Sequence, residues 1–422
     1  MYSFYRISKP SQEKVPAGKV PEVYSRLRRN TFWAATVAYS LYYVCRLSLS
    51  VVKQPLIDSE LLTAGQLGII GSSLLFVYAV GKFMNGFIAD YCNIRRFMAT
   101  GLAVSALINL LMGILGFLHG DMGIASVAVF ISFAILWGIN GWAQSMGSPP
   151  GIINLSRWFP LNKRGTYYGI FSATPYLGEF LSFIVIGAIV GTFGWQSGFI
   201  FAAIAGVVGT LAILFFVSDT PESKGLPSVQ KLSSEELKKE DRMRTSEVQK
   251  QVLRHPGIWI ISAASAFIYI TKYAVAGWGV LFLQKEKLFS LESASQIIAF
   301  SAVFGVVGTV LAGWLSDTVF KSDRIKPAIL SGAVGFVALA LFLFSGGGYV
   351  LNVVYVSVFS LAIGVLYCIV AGLMAVDIVP RKATGAALGI VGISSYLAAG
   401  IQDIASGYLI EGNMRHAGET AD

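Results

Sequence analysis

Long apolar runs alternate with short polar breaks along nearly the whole chain. Runs long enough to cross a hydrocarbon layer of about 30 Å lie at 31–52, 65–88, 97–118, 121–146, 166–192 and 195–217, and again at 257–283, 292–315, 327–345, 349–376 and 384–409. The pattern predicts an all-α membrane protein with a first half over 31–217 and a second half over 257–410. A polar arm over 1–30 precedes the first half, a charged linker over 218–256 joins the halves, and a short polar tail over 411–422 follows at the outer face. The long polar arm and the missing small-residue cleavage site leave no sign of a cleavable signal. Within the linker, Ser233-Ser234-Glu235-Glu236 has the form of a capping box, which suggests a surface helix; a solvated tether fits the same residues.

Composition agrees with the pattern. Of the 422 residues, 55% are hydrophobic and only 13% charged, about half the charge of an ordinary soluble domain. The 45 glycines lie inside apolar runs, where small residues let membrane helices approach closely. Cys45, Cys92 and Cys368 are too widely separated for a ligand motif, so neither a metal nor any other cofactor is expected.

The net charge of +9 would elsewhere suggest nucleic acid, but position decides otherwise. Of the 32 Lys and Arg, 25 fall in the arm, the linker and the loops on that same face; Lys53, Lys285, Lys287 and Arg415 fall on the other. The positive-inside rule then places the arm and linker in the cytoplasm, and the basic excess orients helices. The partners expected are the lipid bilayer and a small anion, with no nucleic acid, and a single chain as the working unit. Arg46, Lys82 and Lys272 remain, all inside predicted spans.

The two halves repeat one another. Gly86-x-x-x-Asp90 followed by Arg95-Arg96 returns as Gly313-x-x-x-Asp317 with Arg324 and Lys326 beyond. Pro160, Gly165, Gly169 and Tyr176-Leu177 return as Pro380, Gly385, Gly389 and Tyr396-Leu397, and Tyr43-x-x-Arg46 returns as Tyr269-x-x-Lys272. Three matches in one order imply a duplicated six-helix unit, here with its twelfth helix missing. Parallel halves related by an axis along the membrane normal are the plan of the major facilitators, with the substrate near the midplane between them. The Gly86, Asp90, Arg95, Arg96 signature and its echo at Gly313 and Asp317 resemble that superfamily's gating loop. Asp90 is expected to cap or pair at helix ends beside the two arginines.

A Lys or Arg at mid-membrane costs about 2.5 to 3.5 kcal/mol on insertion scales and is seldom kept without a partner or a polar cavity. Arg46 and Lys272 each lie fifteen residues into a span, about 22 Å of helix, so the pseudo-twofold sets them at equal depth facing one axis. Tyr39, Tyr42 and Tyr43 flank Arg46, and Tyr269, Tyr273 and Trp278 flank Lys272, at spacings that largely share a helix face. Two opposed cations suit a phosphate monoester, with a charge of about −1.5 to −2 near neutral pH; the arginine offers a planar fork and the lysine a compact charge. Pairing with the intramembrane acids Glu179 or Asp403 is the alternative. Those acids and Lys82 are further pore or coupling candidates, although Lys82 is near enough to the cytoplasmic end to snorkel. No histidine lies well inside a span, which disfavours a histidine proton relay and suits anion exchange. No nucleophile and base constellation points to an enzyme.

With these residues in hand, the chain resembles the organophosphate:phosphate antiporter family, the glycerol-3-phosphate and hexose-phosphate transporters. The resemblance rests on Tyr42-Tyr43-x-x-Arg46, Gly81-Lys82, Gly86-x-x-x-Asp90 and Trp142-x-Gln144-x-x-Gly147-x-Pro149-Pro150. It continues in Asp219-Thr220-Pro221-Glu222-Ser223-x-Gly225-Leu226-Pro227, in Lys272-Tyr273 with Trp278, and in Gly313-Trp314-x-Ser316-Asp317. It implies that Arg46 and Lys272 are the phosphate-binding cations and that an organophosphate exchanges for inorganic phosphate by alternating access. Leu47 stands where a basic residue often follows the arginine, and Pro175 where bacterial members place a fifth-helix histidine. A lysine at 272 and these departures favour a hexose 6-phosphate, such as glucose 6-phosphate, over glycerol 3-phosphate. A transporter-like sensor of external hexose phosphate that signals to a kinase would carry the same cations. The inner or plasma membrane of a bacterium is the expected location.

Overall fold

A computed structural model describes residues 3–89, 92–123, 125–160, 167, 170–229, 252–314, 319–320, 323–375, 378 and 384–419. Among them are eleven helices long and apolar enough to cross a membrane: Ala17–Asp58, Ala64–Asn85, Ile94–Gly120, Ser126–Leu155, Ile170–Phe193, Trp195–Phe216, Pro256–Lys285, Leu291–Ala312, Ile325–Phe344, Tyr349–Met374 and Ala387–Asn413. We number these spans one to eleven. The capping-box segment of the linker, Ser233 to Glu236, and the loop carboxylates Asp90 and Asp317 lie outside the described residues.

The polarity of the bundle follows its solvent. Large apolar side chains such as Phe215, Ile260 and Phe344 point outward, where lipid meets them at no cost. Asn109, Asn140, Gln144 and Ser105 are buried between helices, where interhelical hydrogen bonds satisfy them. Packing repeats with a step of six spans. The second span lies along the fourth and the eighth along the tenth; the third lies on the fourth as the ninth does on the tenth. Between halves, the second span packs on the eleventh and the fifth on the eighth. The repeat read from sequence signatures is thus a repeat of helix contacts.

The first span departs from its expected bounds, 31–52. Its α-helix runs from Val20 to Asp58, with a proline in the opening turn where no intrahelical N–H is required. At the far end it continues past Lys53 because that charge is neutralised inside the protein. The arm is held to the first half and to the linker entry by backbone contacts. Arg6 bridges Cys92, the Asn93 amide donates to the Tyr5 carbonyl at 2.8 Å, and the Ser11 and Val15 amides donate to Glu222 and Gly225 of the linker entry at 2.9 and 3.0 Å. At the other terminus the last helix reaches Glu419, taking in most of the predicted tail.

Spans five and ten contain wide π-helical turns, Ser182–Ile186 and Ile369–Met374. Such turns shift the register of the following side chains and concentrate at functional sites. Here they begin within three residues of Glu179 and Tyr367.

Hydrogen bonds and ion pairs between the halves, among the described residues, lie at the level of Arg46 or toward the end that carries Lys285. Lys285 meets Asp58 at 3.2 Å, Glu411 accepts from the Thr63 hydroxyl and the Gly65 amide at 2.9 and 3.0 Å, and Lys53 pairs with Asp403. A methyl group at Gly68 would meet the Asp403 carbonyl oxygen at 2.6 Å, so spans two and eleven touch backbone to backbone. The structure is closed at this end.

Candidate anion site between the halves

Arg46 projects from a helix whose opposite face is fastened to its own half. Gln144 Nε2 donates to the Tyr42 carbonyl at 3.0 Å, Asn109 Nδ2 to the Cys45 carbonyl at 3.0 Å, and the Ser48 hydroxyl to Asn109 Oδ1 at 2.7 Å. The Tyr42 hydroxyl donates to the Met98 carbonyl at 2.5 Å. Extra hydrogen bonds onto backbone already inside a helix hold the segment around Arg46 rigid against spans three and four.

The guanidinium faces the other way, into a cage of tyrosines drawn from four spans. Its carbon lies 4.2 Å from the centre of the Tyr78 ring, 5.5 Å from Tyr43, 5.6 Å from Tyr396 and 5.8 Å from Tyr273. Nη2 donates to the Tyr273 hydroxyl at 3.1 Å. Arg46 is only 5% exposed, and among the described residues no carboxylate forms an ion pair with it. Ring faces attract the cation by their quadrupole but leave guanidinium N–H groups without a strong acceptor.

Lys272 occupies the corresponding place in the second half. Its ammonium lies 4.7 Å from the centres of both Tyr176 and Tyr367 and lines a cavity with Glu179, Ser301 and Ser360. A chain of rings joins the two cations: Tyr78 to Tyr396 at 4.7 Å, Tyr396 to Tyr269 at 5.2 Å, and Tyr269 to Tyr367 at 5.6 Å. Lys82 approaches the same chain, its ammonium 5.1 Å from the Tyr396 ring. Three cations, the Glu179 carboxylate beside Lys272 and a wall of hydroxyls can hold an anion with several acceptor oxygens and line a path for its polar remainder.

Several sequence expectations change here. Arg46, Lys272, Tyr43, Tyr269 and Tyr273 come together, and Lys82, near enough to the cytoplasmic end to snorkel, instead turns inward toward Tyr396. Tyr42 does not line the site, because its hydroxyl is turned to the third span, and Tyr39 stacks on Phe171 with ring centres 5.0 Å apart. Trp278 is also elsewhere; its indole N–H donates to Asp403 Oδ1 at 2.5 Å. Asp403 pairs with neither predicted cation. Its partner is Lys53, taken from the sequence as an outer-face charge; Lys53 is 2% exposed and its ammonium is 3.2 Å from Asp403 Oδ1. Lys53 lies seven residues after Arg46 on one helix face, a signal that burial arithmetic alone passes over.

Sequence reasoning missed Tyr78 and Tyr367, and read Tyr176 and Tyr396 only as repeat markers. Tyr78 is one turn before Lys82, which is a usable clue; nothing in the sequence singles out Tyr367. In the gating loop, Gly86 and Gly313 are helical. Arg95 donates to the Leu214 carbonyl, and Arg96 to the Phe4 carbonyl at 2.8 Å. A described carboxylate that binds this region is Asp219. It accepts from the Ser8 and Ile94 amides at 2.8 and 3.0 Å and from Arg157 at 2.5 Å.

Residues 33–402 match the model of the Major Facilitator Superfamily. The chain belongs to that superfamily. It is 31% identical over 397 residues to the glycerol-3-phosphate transporter of Bacillus subtilis (strain 168), covering 92% of this chain and 87% of the relative. It is 31% identical over 320 residues to a "Probable hexose phosphate transport protein" of Chlamydia muridarum, covering 72% and 68%. The membrane sensor protein UhpC of Escherichia coli (strain K12) is 27% identical, with 90% and 84% covered. Within the superfamily the chain is therefore of the organophosphate:phosphate antiporter type. In three dimensions it resembles the crystal structure of a bacterial homologue of the human lysosomal transporter Spinster in an inward-facing, unoccupied conformation. That match has a TM-score of 0.73 at 17% identity and covers 90% of this chain and 81% of the other. It is a likeness of fold, and the closed Lys285 end is read from this chain's own contacts.

Proposed function

We propose that this protein is a secondary transporter that exchanges a sugar phosphate, hexose 6-phosphate first among them, for inorganic phosphate. One observation carries this reading: Arg46 is buried between the halves with rings around it and no carboxylate paired to it among the described residues. A charge held so needs a ligand anion, and Lys272 across the axis gives a dianion a second point of attachment. The relatives include transporters of glycerol 3-phosphate and hexose phosphate, which supports an organophosphate without choosing between them. A ligand touching both cations draws the halves together, and exchange results if the occluded state gains those contacts. The closed end, on the positive-inside count, faces outward, with the arm and linker in the cytoplasm of a bacterium and the bundle in its inner membrane. No step in this scheme requires catalysis, and one chain supplies both cations.

The test is counterflow. Purified protein in liposomes loaded with phosphate should take up labelled phosphate and exchange it for glucose 6-phosphate. Arg46→Lys and Lys272→Gln should abolish both fluxes while the protein still inserts. Full exchange by both variants would refute the site assignment. The similarity to UhpC supports a second reading, a sensor of external hexose phosphate; binding without flux in the same liposomes would favour it.

A further inference from the structure

Lys53, Asp403 and Trp278 form a buried cluster that the anion site does not use. Lys53 comes from the first half, Asp403 and Trp278 from the second. The Lys53 ammonium is 3.2 Å from Asp403 Oδ1 and 3.3 Å from the centre of the Trp278 ring, and the indole N–H donates to the same carboxylate oxygen at 2.5 Å. Lys53 is 2% and Asp403 8% exposed. Gly71 of the second span faces the other carboxylate oxygen, where any larger residue would collide with it. Arg46, Lys53, Gly277 and Asp403 line one cavity, so the cluster sits immediately beyond the anion site on its closed side.

We propose that this cluster is a charge latch that holds the closed end shut, and that admitting substrate from that end requires parting it. Both contacts of Lys53, the ion pair and the ring contact, cross between the halves, so separating the halves removes them together. Asp58 and Lys285 also cross the interface but are largely solvated, and exposed pairs contribute little. Lys53 and Asp403 differ because they are desolvated. Removing one partner strands the other charge in a buried interface, whereas replacing both by apolar residues of similar volume is often neutral or stabilising. The latch therefore predicts opposite outcomes for single and double substitutions, which a bystander pair would not give.

Spin labels on Ser59→Cys and Leu288→Cys, both exposed at this end on opposite halves, report the gap by pulsed electron resonance; Cys368→Ser removes the less buried native thiol. No substrate is added, so the result does not depend on which anion the protein carries. Lys53→Met and Asp403→Leu, each alone, should raise the ratio of long to short distances by about tenfold or more. The double variant should return it to the unsubstituted value or below. Labels on Ser59→Cys and Thr192→Cys, within one half, should keep their distance in every variant that has folded. If a single variant loses that control distance, Trp278→Phe takes its place, with a smaller shift in the same direction expected from the lost donor. An unchanged gap in folded single variants would overturn the latch, as would a double variant as open as the singles.

Discussion

Arg46 and Lys53 stand two turns apart on one helix, about 10 Å along its axis, and both are buried between the same two halves. Lys53 has a carboxylate 3.2 Å away and an indole face beneath it. Arg46 has four tyrosine rings and a phenol hydroxyl. A buried cation is thus no functional category by itself. One with a fixed carboxylate has its charge cancelled by the protein and acts on the position of the halves. One surrounded by rings is held in place while its N–H groups still lack a strong acceptor, and that is the condition for binding an anion. Lys272 stands between these cases, in a tyrosine wall but with Glu179 lining the same cavity.

Substitutions at these residues should separate the two kinds of buried cation by the size and direction of their effects. Arg46→Gln should have the largest effect, lowering phosphate affinity by about 100-fold or more, since hydrogen bonds to charged groups contribute about 1.5 to 3 kcal/mol each and a guanidinium fork makes two; titration calorimetry of the purified protein measures it. Lys272→Gln should lose about tenfold, and Lys272→Arg should recover most of that loss, because charge matters there more than shape. Glu179→Gln should move affinity the other way, a gain of about threefold or more, by removing the negative charge beside Lys272. A loss instead would mean that Glu179 positions the lysine. Tyr42→Phe, behind the site, should have the smallest effect on binding. It removes the bond to the Met98 carbonyl and lowers stability by about 1 kcal/mol, read as a fall in thermal midpoint with phosphate affinity within a factor of two.

Much of this was legible in the sequence because membrane insertion enforces strict rules. Eleven apolar runs became eleven spans, and the repeat of Tyr43-x-x-Arg46 at Tyr269-x-x-Lys272 placed two cations on one axis. What escaped was rotation about the helix axis. Tyr39, Tyr42 and Tyr43 are sequence neighbours of Arg46, yet Tyr42 faces the third span while Tyr43 faces the cage. Of the other three rings of that cage, Tyr78 comes from the next span, and Tyr273 and Tyr396 come from the other half of the chain. Lys53 escaped for a different reason. Counting charges by loop presumes that a basic residue near a span end is solvated, and only a carboxylate 350 positions away on another helix made it otherwise.

The central claim is that the protein carries an anion between Arg46 and Lys272 and recognises it by its phosphate. Calorimetric titration with inorganic phosphate, glucose 6-phosphate and glucose, on the unsubstituted protein, addresses it directly. The account predicts that phosphate and glucose 6-phosphate bind in mutual competition and that glucose does not bind. Glucose binding as tightly as its 6-phosphate, or phosphate failing to displace the ester, would contradict it.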